Sequence, residues 1–207
     1  IFPGIDLLGK AFEEIGFCVV RGPDLLWGGD IRTFHPPAGV FDGVIGGPPC
    51  KGESKLAHLN GKPGISLWGE ALRVIAEAQP KWWVLEAVRL HPAPHVLLLN
   101  NRWLGEKQNR RRYFHSNIDL KPYVEVTLFE SPVKKLAVLA GHGGKVGTIT
   151  KGMASYSWAE MCELQGLRAD FSLPGFTRFG RQEALGNGVP LPMGRAIAKA
   201  VRKAISP

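Results

Sequence analysis

The chain has 207 residues, enough for one well-packed domain with a small appendage. Hydrophobic residues make up 44% of it, and no run of 18 apolar residues occurs, which excludes a membrane-spanning helix. The net charge of +8 is typical either of a basic soluble surface or of a polyanionic partner. The first residues show no basic stretch and no cleavage-site pattern, so we expect no signal peptide.

Apolar periodicity predicts alternating strands and helices from residue 1 to about residue 115. The predicted elements are a strand end at 1–2, a helix over 3–15, strands over 17–20 and 40–46, a helix over 65–78, and strands over 81–87, 95–101 and 110–114. This alternation predicts an α/β fold with a mostly parallel sheet and helices on both faces.

Beyond residue 114 the pattern changes. Residues 115–156 are rich in glycine and polar residues, and we expect short strands and loops that form a small lobe. A helix then begins at Ser157, which with Glu160 makes a capping-box pattern, and it ends at Gly166. The segment 190–205 predicts a final amphipathic helix.

The three cysteines, Cys18, Cys50 and Cys162, lie far apart and form no Cys-x-x-Cys pair. Such sparse, odd usage argues against a disulfide framework and against a zinc or other metal site, and it is typical of a reducing cytoplasm. Cys18 and Cys162 occur in apolar segments, which predicts that both are small core residues. Cys50 differs because of the loop that precedes it.

The segment FDGVIGGPPC, residues 41–50, runs an apolar strand into two glycines, two prolines and a thiol. The prolines fix the backbone, so the Cys50 side chain would be held in place. Lys51 and Lys55 add positive charge, which favours the nucleophilic thiolate form. The pattern is typical of a catalytic cysteine, and the alternative is a buried cysteine that follows a tight turn.

Two further groups are candidate partners for this thiol. Glu86 ends the apolar strand KWWVLE, where a poorly solvated carboxyl group can act as a proton donor; the alternative is an exposed acid at a strand end. Gln108, Arg110 and Arg112 alternate along QNRRRYF, so on an extended segment they would share one face and line one cleft. The alternative for these three residues is a solvated basic edge strand.

Basic residues concentrate in NRWLGEKQNRRRYF, residues 101–114, where five Lys and Arg accompany one Glu. This concentration favours nucleic acid as the polyanionic partner.

The motifs GGPPC, LEAV, QNRRR and GNGV follow one another in this order. With them the chain resembles the DNA (cytosine-5)-methyltransferases of the small bacterial or phage type, over nearly its whole length. FPGIDLLGKAFEEIGF and GGDI are similar to cofactor motifs of that family, and AEMCELQGLRADF and EALGNGVPLPMGRAIAKAV are similar to its closing motifs. The resemblance implies a Rossmann-like, S-adenosylmethionine-dependent methyltransferase fold.

The resemblance also implies a reaction. The Cys50 thiolate would attack C6 of a flipped-out cytosine, and C5 would then accept a methyl group from S-adenosylmethionine. Glu86 would protonate or hold N3 of the base, and Arg110 and Arg112 would contact the base and the nearby backbone. Residues 51–64 resemble a mobile loop that closes over the base. The expected DNA contacts are Lys51, Lys55, Lys62, Gln108 and Arg111.

The same resemblance implies a cofactor pocket in which Asp24 holds the ribose hydroxyls and Asp30 meets the adenine. Carboxylates suit these groups because they accept hydrogen bonds. The cofactor has no phosphate, in agreement with the absence of a Gly-x-Gly-x-x-Gly motif. The implied cofactor-binding residues are Phe2, Gly4, Ile5, Asp24, Asp30, Ile31, Pro48, Asn187 and Val189.

By this resemblance residues 1–114 form the catalytic and cofactor-binding core, residues 115–156 a reduced target-recognition region, and residues 157–207 a return to the core. The recognition region has 42 positions at most, so we expect a short sequence preference and affinity for double-stranded DNA dominated by phosphate contacts. We expect a monomeric, metal-free enzyme in the cytoplasm of a bacterium or phage-infected host, acting in restriction–modification, phage self-protection or regulation.

The chain departs from the family pattern at four positions, one of which is Asp24, where a glutamate is usual. Asp6 stands where a second glycine is usual, Lys51 follows the cysteine where glutamine is usual, and Ala87 replaces an asparagine whose amide helps to fix the cysteine loop. Such a hydrogen bond contributes about 0.5–1.5 kcal/mol. Lys51 would either add phosphate affinity or mark a chain that has lost activity. Two alternatives therefore stay open: a non-catalytic DNA-binding homologue that retains the fold, and a tRNA cytosine-C5 methyltransferase.

Overall fold

A mixed sheet flanked by helices forms the centre of the computed structural model, which describes residues 1–49, 66–127 and 156–206. Within these ranges the sheet has four strands in the spatial order β1-β2-β4-β3. The strands are β1 (Gly43–Gly46), β2 (Trp82–Ala87), β3 (His95–Asn100) and β4 (Arg111–Ser116). The helices are α1 (Leu7–Glu14), α2 (Trp68–Ala78), α3 (Trp158–Leu164), α4 (Arg178–Asn187) and α5 (Leu191–Ile205).

The α/β class is confirmed, but the strand directions differ from the prediction. β1 and β2 pair in parallel, whereas β2–β4 and β3–β4 pair antiparallel. The reason lies in the connection from β3 to β4, residues 101–110, which contains a 3₁₀ turn and no crossover helix. A parallel pair needs a crossover of about a dozen residues or more, usually a helix, so this connection makes a hairpin instead.

Helices cover both faces of the sheet, as the sequence predicts. Neighbouring residues of β2 point to opposite faces, so Val84 packs in one apolar cluster and Leu85 in another. Helices α1 and α5 cover the Val84 face through Phe12 and Ile197, among other side chains. Helix α2 covers the Leu85 face, where Ala71 is fully buried.

A third apolar cluster joins the first helix to the C-terminal helices. Leu7 and Ala11 of α1 pack there with Met161, Cys162 and Leu185. The prediction that Cys162 is a core residue is confirmed, and burial raises the pKa of its thiol to about 11. Helix α4 was not predicted from the sequence because half of its ten residues, RFGRQEALGN, are polar and two more are glycines.

The predicted strands at 1–2 and 17–20 are not formed, and these residues run without a strand ladder. In the second segment Phe17 and Val19 pack against the core, whereas Cys18 and Val20 face outward. Cys18 is therefore exposed, and the prediction that it is a core residue is wrong because alternation places it on the solvent side.

The capping box that the sequence predicts is present at the start of α3. The Glu160 N–H donates to Ser157 Oγ at 3.2 Å, and the Ser157 N–H donates to Glu160 Oε2 at 2.7 Å. We expect Ser157→Ala to lower the free energy of unfolding by about 1 kcal/mol, which corresponds to a melting temperature lower by roughly 2–4 °C. Calorimetry of this variant beside Ser172→Ala, an exposed loop serine, tests the prediction. Equal melting temperatures for the two variants would contradict it.

Candidate active site

A cleft of about 700 Å³ opens where β1 and β2 end. The two strands are parallel, so their carboxyl ends meet at one edge of the sheet, the usual place for a ligand in such folds. The turn before α1, the segment 19–26, the loop after β1 and helix α4 complete the walls. The cleft brings together these predicted site residues: Phe2, Gly4, Asp24, Pro48, Glu86, Arg112, Asn187 and Val189.

Glu86 and Arg112 form an ion pair at the floor of the cleft. Arg112 Nε lies 2.6 Å from Glu86 Oε1, and the two side chains are 11% and 10% exposed, respectively. The strand register explains the contact: Glu86 is opposite Phe114 in the β2–β4 pair, so Arg112, two residues from Phe114, projects from the same face. The pair is nearly dry, which strengthens its electrostatic interaction.

The loop that follows β1 passes directly over this pair. A Cβ placed on Gly47 would lie 3.3 Å from Glu86 Oε2, so the backbone of the loop is in van der Waals range of the carboxylate. Pro48 and Pro49 continue the loop along the cleft wall. Cys50, the next residue, lies outside the described residues, as do Lys51, Lys55 and Lys62.

Asp24 ties two turns of the cleft wall together. Its Oδ2 accepts from the Gly4 N–H at 2.8 Å, and its Oδ1 accepts from the Leu26 N–H at 2.8 Å. The Trp27 indole N–H donates to the Gly4 carbonyl at 2.7 Å, so the Gly4 residue is held from both sides. This arrangement fixes the position of the first turn at the cleft.

That first turn has an unusual backbone. Phe2, Gly4 and Asp6 have φ values of 52°, 56° and 62°, all in the left-handed region. Glycine adopts this region freely, but for other residues it costs about 1–3 kcal/mol and persists only where the surroundings impose it. Strained backbone of this kind concentrates at ligand sites.

Comparisons with known proteins agree with this geometry, although no protein family model matches the chain. A 50-residue segment, 23% of the chain, is 40% identical to the type II methyltransferase M.FnuDI of Fusobacterium nucleatum. The match covers only 14% of that relative's length.

Solved structures match the whole fold. A prophage-encoded E. coli protein assigned as a DNA modification methyltransferase superposes with a TM-score of 0.65 and 14% identity, over 99% of this chain and 97% of that one. The Entamoeba histolytica methyltransferase EhMeth superposes with a TM-score of 0.62 and 12% identity, over 100% and 97% of the two chains. The chain has a methyltransferase fold. This fold and the 50-residue match to a type II methyltransferase agree with the resemblance to DNA methyltransferases that the motifs indicate.

Arg110 does not line the cleft of this methyltransferase fold. Its side chain is fully buried, and Nη2 donates to the carbonyls of Gly186 and Gly188 at 2.8 and 3.0 Å. Gln108 is also fully buried. The expected alternation fails because the Arg110 N–H donates to the Gln108 carbonyl in a tight turn before β4 begins. Arg110 therefore stabilises the junction between α4 and α5. Of Gln108, Arg110 and Arg112, only Arg112 reaches the cleft.

Three predicted cofactor residues also lie away from the cleft lining. Asp30 caps the turn Ile31–Thr33 and pairs with Arg32, whose guanidinium lowers the pKa of the Asp30 carboxyl group. Ile31, the first residue of this turn, is buried, and Ile5 packs in the core with α1. Arg111 is exposed on β4, outside the cleft.

Asp6 and Arg21 line the cleft as well, and the sequence analysis assigned a role to neither. The signal available was the departure at Asp6, where a charged residue occupies a position that the family gives to glycine. Arg21 follows the segment 17–20 and carries no motif of its own.

The residues of the cleft suit S-adenosylmethionine. The volume falls in the range of about 300–1,000 Å³ that small-molecule sites have, and the walls contain both apolar side chains and carboxylates. Carboxylate oxygens can accept hydrogen bonds from hydroxyl and amino groups, and the cleft wall contains no glycine-rich phosphate loop.

Within the described ranges no helix has the length and apolarity needed to cross a bilayer. The same residues gather no group of three or more metal-binding side chains.

Proposed function

We propose that this protein is a DNA cytosine-C5 methyltransferase that uses S-adenosylmethionine and a covalent intermediate between Cys50 and the base. One observation supports the proposal above the others. The buried pair Glu86–Arg112 lies under the Gly47–Pro49 loop that leads into Cys50, so the acid, the cation and the approach to the thiol share one cleft.

The chemistry requires a nucleophile because C5 of cytosine is unreactive on its own. The Cys50 thiolate forms a bond to C6, and the electron pair of the C5–C6 double bond moves to make C5 nucleophilic. After C5 gains its methyl group, a base or water removes the C5 proton, the C6–S bond breaks, and the thiolate leaves. The net change replaces one C5 hydrogen by methyl, converts S-adenosylmethionine into S-adenosylhomocysteine, and releases a proton.

Glu86 acts on N3 of the cytosine ring. Protonation of N3, or a hydrogen bond to it, stabilises the charge that develops when the thiolate adds to C6. Arg112 holds the Glu86 carboxyl group through Nε, its Nη1 donates to the Arg111 carbonyl at 2.8 Å, and its Nη2 would face the base. A buried ion pair is rigid enough to keep the acid aimed at one position.

S-adenosylmethionine supplies an electrophilic methyl group when it is bound. The turn of Phe2 and Gly4, the ends of the strands, and the residues Asn187 and Val189 would hold it. Asp24 would meet the ribose hydroxyls with the lone pairs that its two backbone hydrogen bonds leave. Asp30 and Ile31 would need a rearrangement of their turn to take part.

The target base must leave the duplex to reach the cleft, at a cost of a few kcal/mol. Lys51, Lys55 and Lys62, with the exposed Arg111, would supply phosphate contacts that offset this cost. The recognition region within 115–156 is short, so we expect a short or relaxed sequence preference. The proposed setting is the cytoplasm of a bacterium or of a phage-infected host.

The test is transfer of labelled methyl from S-adenosylmethionine to mixed-sequence duplex DNA, followed by base-resolution mapping of 5-methylcytosine. We expect 5-methylcytosine in duplex DNA, in a context shorter than six base pairs. Label that appears only in tRNA would assign the activity to RNA instead. Cofactor binding without transfer to either acceptor would identify a non-catalytic homologue.

A further inference from the structure

An ion pair forms part of the cleft wall beside the first turn. Arg21 Nε donates to Asp6 Oδ2 at 2.6 Å, and Arg21 Nη2 donates to Glu13 Oε1 at 2.9 Å. The Asp6 side chain is 14% exposed and the Arg21 side chain 48% exposed, and both residues line the cleft. The carboxylate is therefore sheltered, while the guanidinium reaches into open space.

The structure accommodates Asp6 at a cost. Its φ of 62° is a conformation that glycine would adopt without strain. Its carboxylate also requires a glycine nearby, because a Cβ on Gly9 would lie 2.1 Å from Asp6 Oδ1. Burial raises the pKa of the Asp6 carboxyl group, and Arg21 opposes this shift. A strained, sheltered acid paired with a cation is typical of a position used for binding.

The pair presents opposite charges side by side to the cleft. Two of the five N–H donors of the guanidinium serve the contacts to Asp6 and Glu13, which leaves donors for a ligand. The other arginine of the cleft lining, within the described ranges, is Arg112, which is engaged by Glu86. Asp24 is the proposed partner of the ribose hydroxyls, so Asp6 is the carboxylate beside the first turn that has no proposed role.

We propose that Asp6 and Arg21 bind the amino-acid end of the cofactor, with Asp6 facing its ammonium group and Arg21 facing its carboxylate. This inference rests on the proposed function, because it takes the cleft to be the cofactor site. The amino-acid end is a zwitterion with one charge of each sign, which this pair complements. The nucleoside end is uncharged and gains nothing from such a pair.

The experiment compares two ligands that share the nucleoside and differ in the amino-acid end. S-adenosylhomocysteine carries the zwitterion, and 5′-methylthioadenosine lacks it. Calorimetric titration of each into wild-type protein, Arg21→Gln, Asp6→Asn and Asp6→Gly measures the affinities. Arg168→Gln is the matched control, because Arg168 pairs with Asp170 at an exposed site.

We expect Arg21→Gln and Asp6→Asn to lower the affinity for S-adenosylhomocysteine about tenfold or more, as loss of a charge-assisted contact does. The affinity for 5′-methylthioadenosine should change less than twofold. Asp6→Gly keeps the left-handed backbone without strain, so it should stay folded and show the same selective loss. Equal losses for both ligands, or no loss for either, would overturn the inference alone. Wild-type protein that binds neither ligand would overturn the proposed function and this inference together.

Discussion

Replacement of Cys50 by alanine should lower methyl transfer to DNA by more than about a thousandfold. The proposed reaction has no other way to make C5 nucleophilic, and loss of a covalent nucleophile removes the whole pathway. Cofactor affinity should stay within about twofold, because residues of the first turn, of the strand ends and of helix α4 line the described part of the cleft. Labelled methyl transfer and calorimetric titration of S-adenosylhomocysteine measure the two effects separately.

Cys18→Ala is the matched control, since Cys18 is an exposed thiol outside the cleft lining. It should transfer methyl groups at the wild-type rate. An oligonucleotide that carries a fluorinated cytosine adds a direct readout, because fluorine at C5 blocks the final elimination and traps the adduct. Wild-type protein and Cys18→Ala should form a complex that survives denaturation, and Cys50→Ala should form none. A trapped complex with Cys50→Ala would refute the assignment of the nucleophile.

Glu86→Gln should lower the rate of transfer by about 100- to 1,000-fold, the typical loss when one group that stabilises developing charge is removed. Glutamine keeps an oxygen that can accept from Arg112 Nε, so the geometry of the pair survives while the acid is lost. The larger truncation Glu86→Ala would also leave Arg112 buried without a counter-charge, which typically destabilises a protein by about 3–5 kcal/mol.

The control for Glu86→Gln is Glu125→Gln, which breaks the exposed contact between Glu125 and Lys203. Its effect on transfer should be negligible, because surface ion pairs contribute little. Thermal unfolding of both variants shows whether the protein stays folded. A Glu86→Gln protein that is folded and transfers methyl at more than about a third of the wild-type rate would contradict the proposed role.

Much of the fold follows from local patterns in the sequence. The strands of residues 82–87 and 95–100 are bounded within about a residue of their predicted ends, because their apolar runs have few alternative structures. The capping box at Ser157 forms as predicted because it depends on two residues three positions apart. The antiparallel pairing of β3 with β4 could not be predicted in this way, because the length and course of the connection between the two strands decide it.

The site was predictable only where a motif fixes the end of a strand. Glu86 and Arg112 come together as expected, since each belongs to a regular strand whose register sets its face. Arg110 is two residues from Arg112, but it precedes the strand, so alternation does not apply to it. Asp6 lies in a left-handed turn and Arg21 follows an irregular segment. Neither stretch has the helical or strand periodicity from which a contact can be predicted.

The pairing of α1 with α5 has a consequence for how the chain acquires its structure. Arg195 pairs with Glu14 across 181 positions, and a Cβ on Gly194 would lie 2.7 Å from Ala11 Cβ, so the two helices approach very closely. During synthesis on the ribosome, the apolar faces of α1 and of the sheet stay exposed until α5 has been synthesised and packs on them. Contacts between such distant positions slow folding. The cleft is lined by both Gly4 and Val189, so it can form only after residue 189 has been synthesised, and the nascent chain is exposed to aggregation until that point.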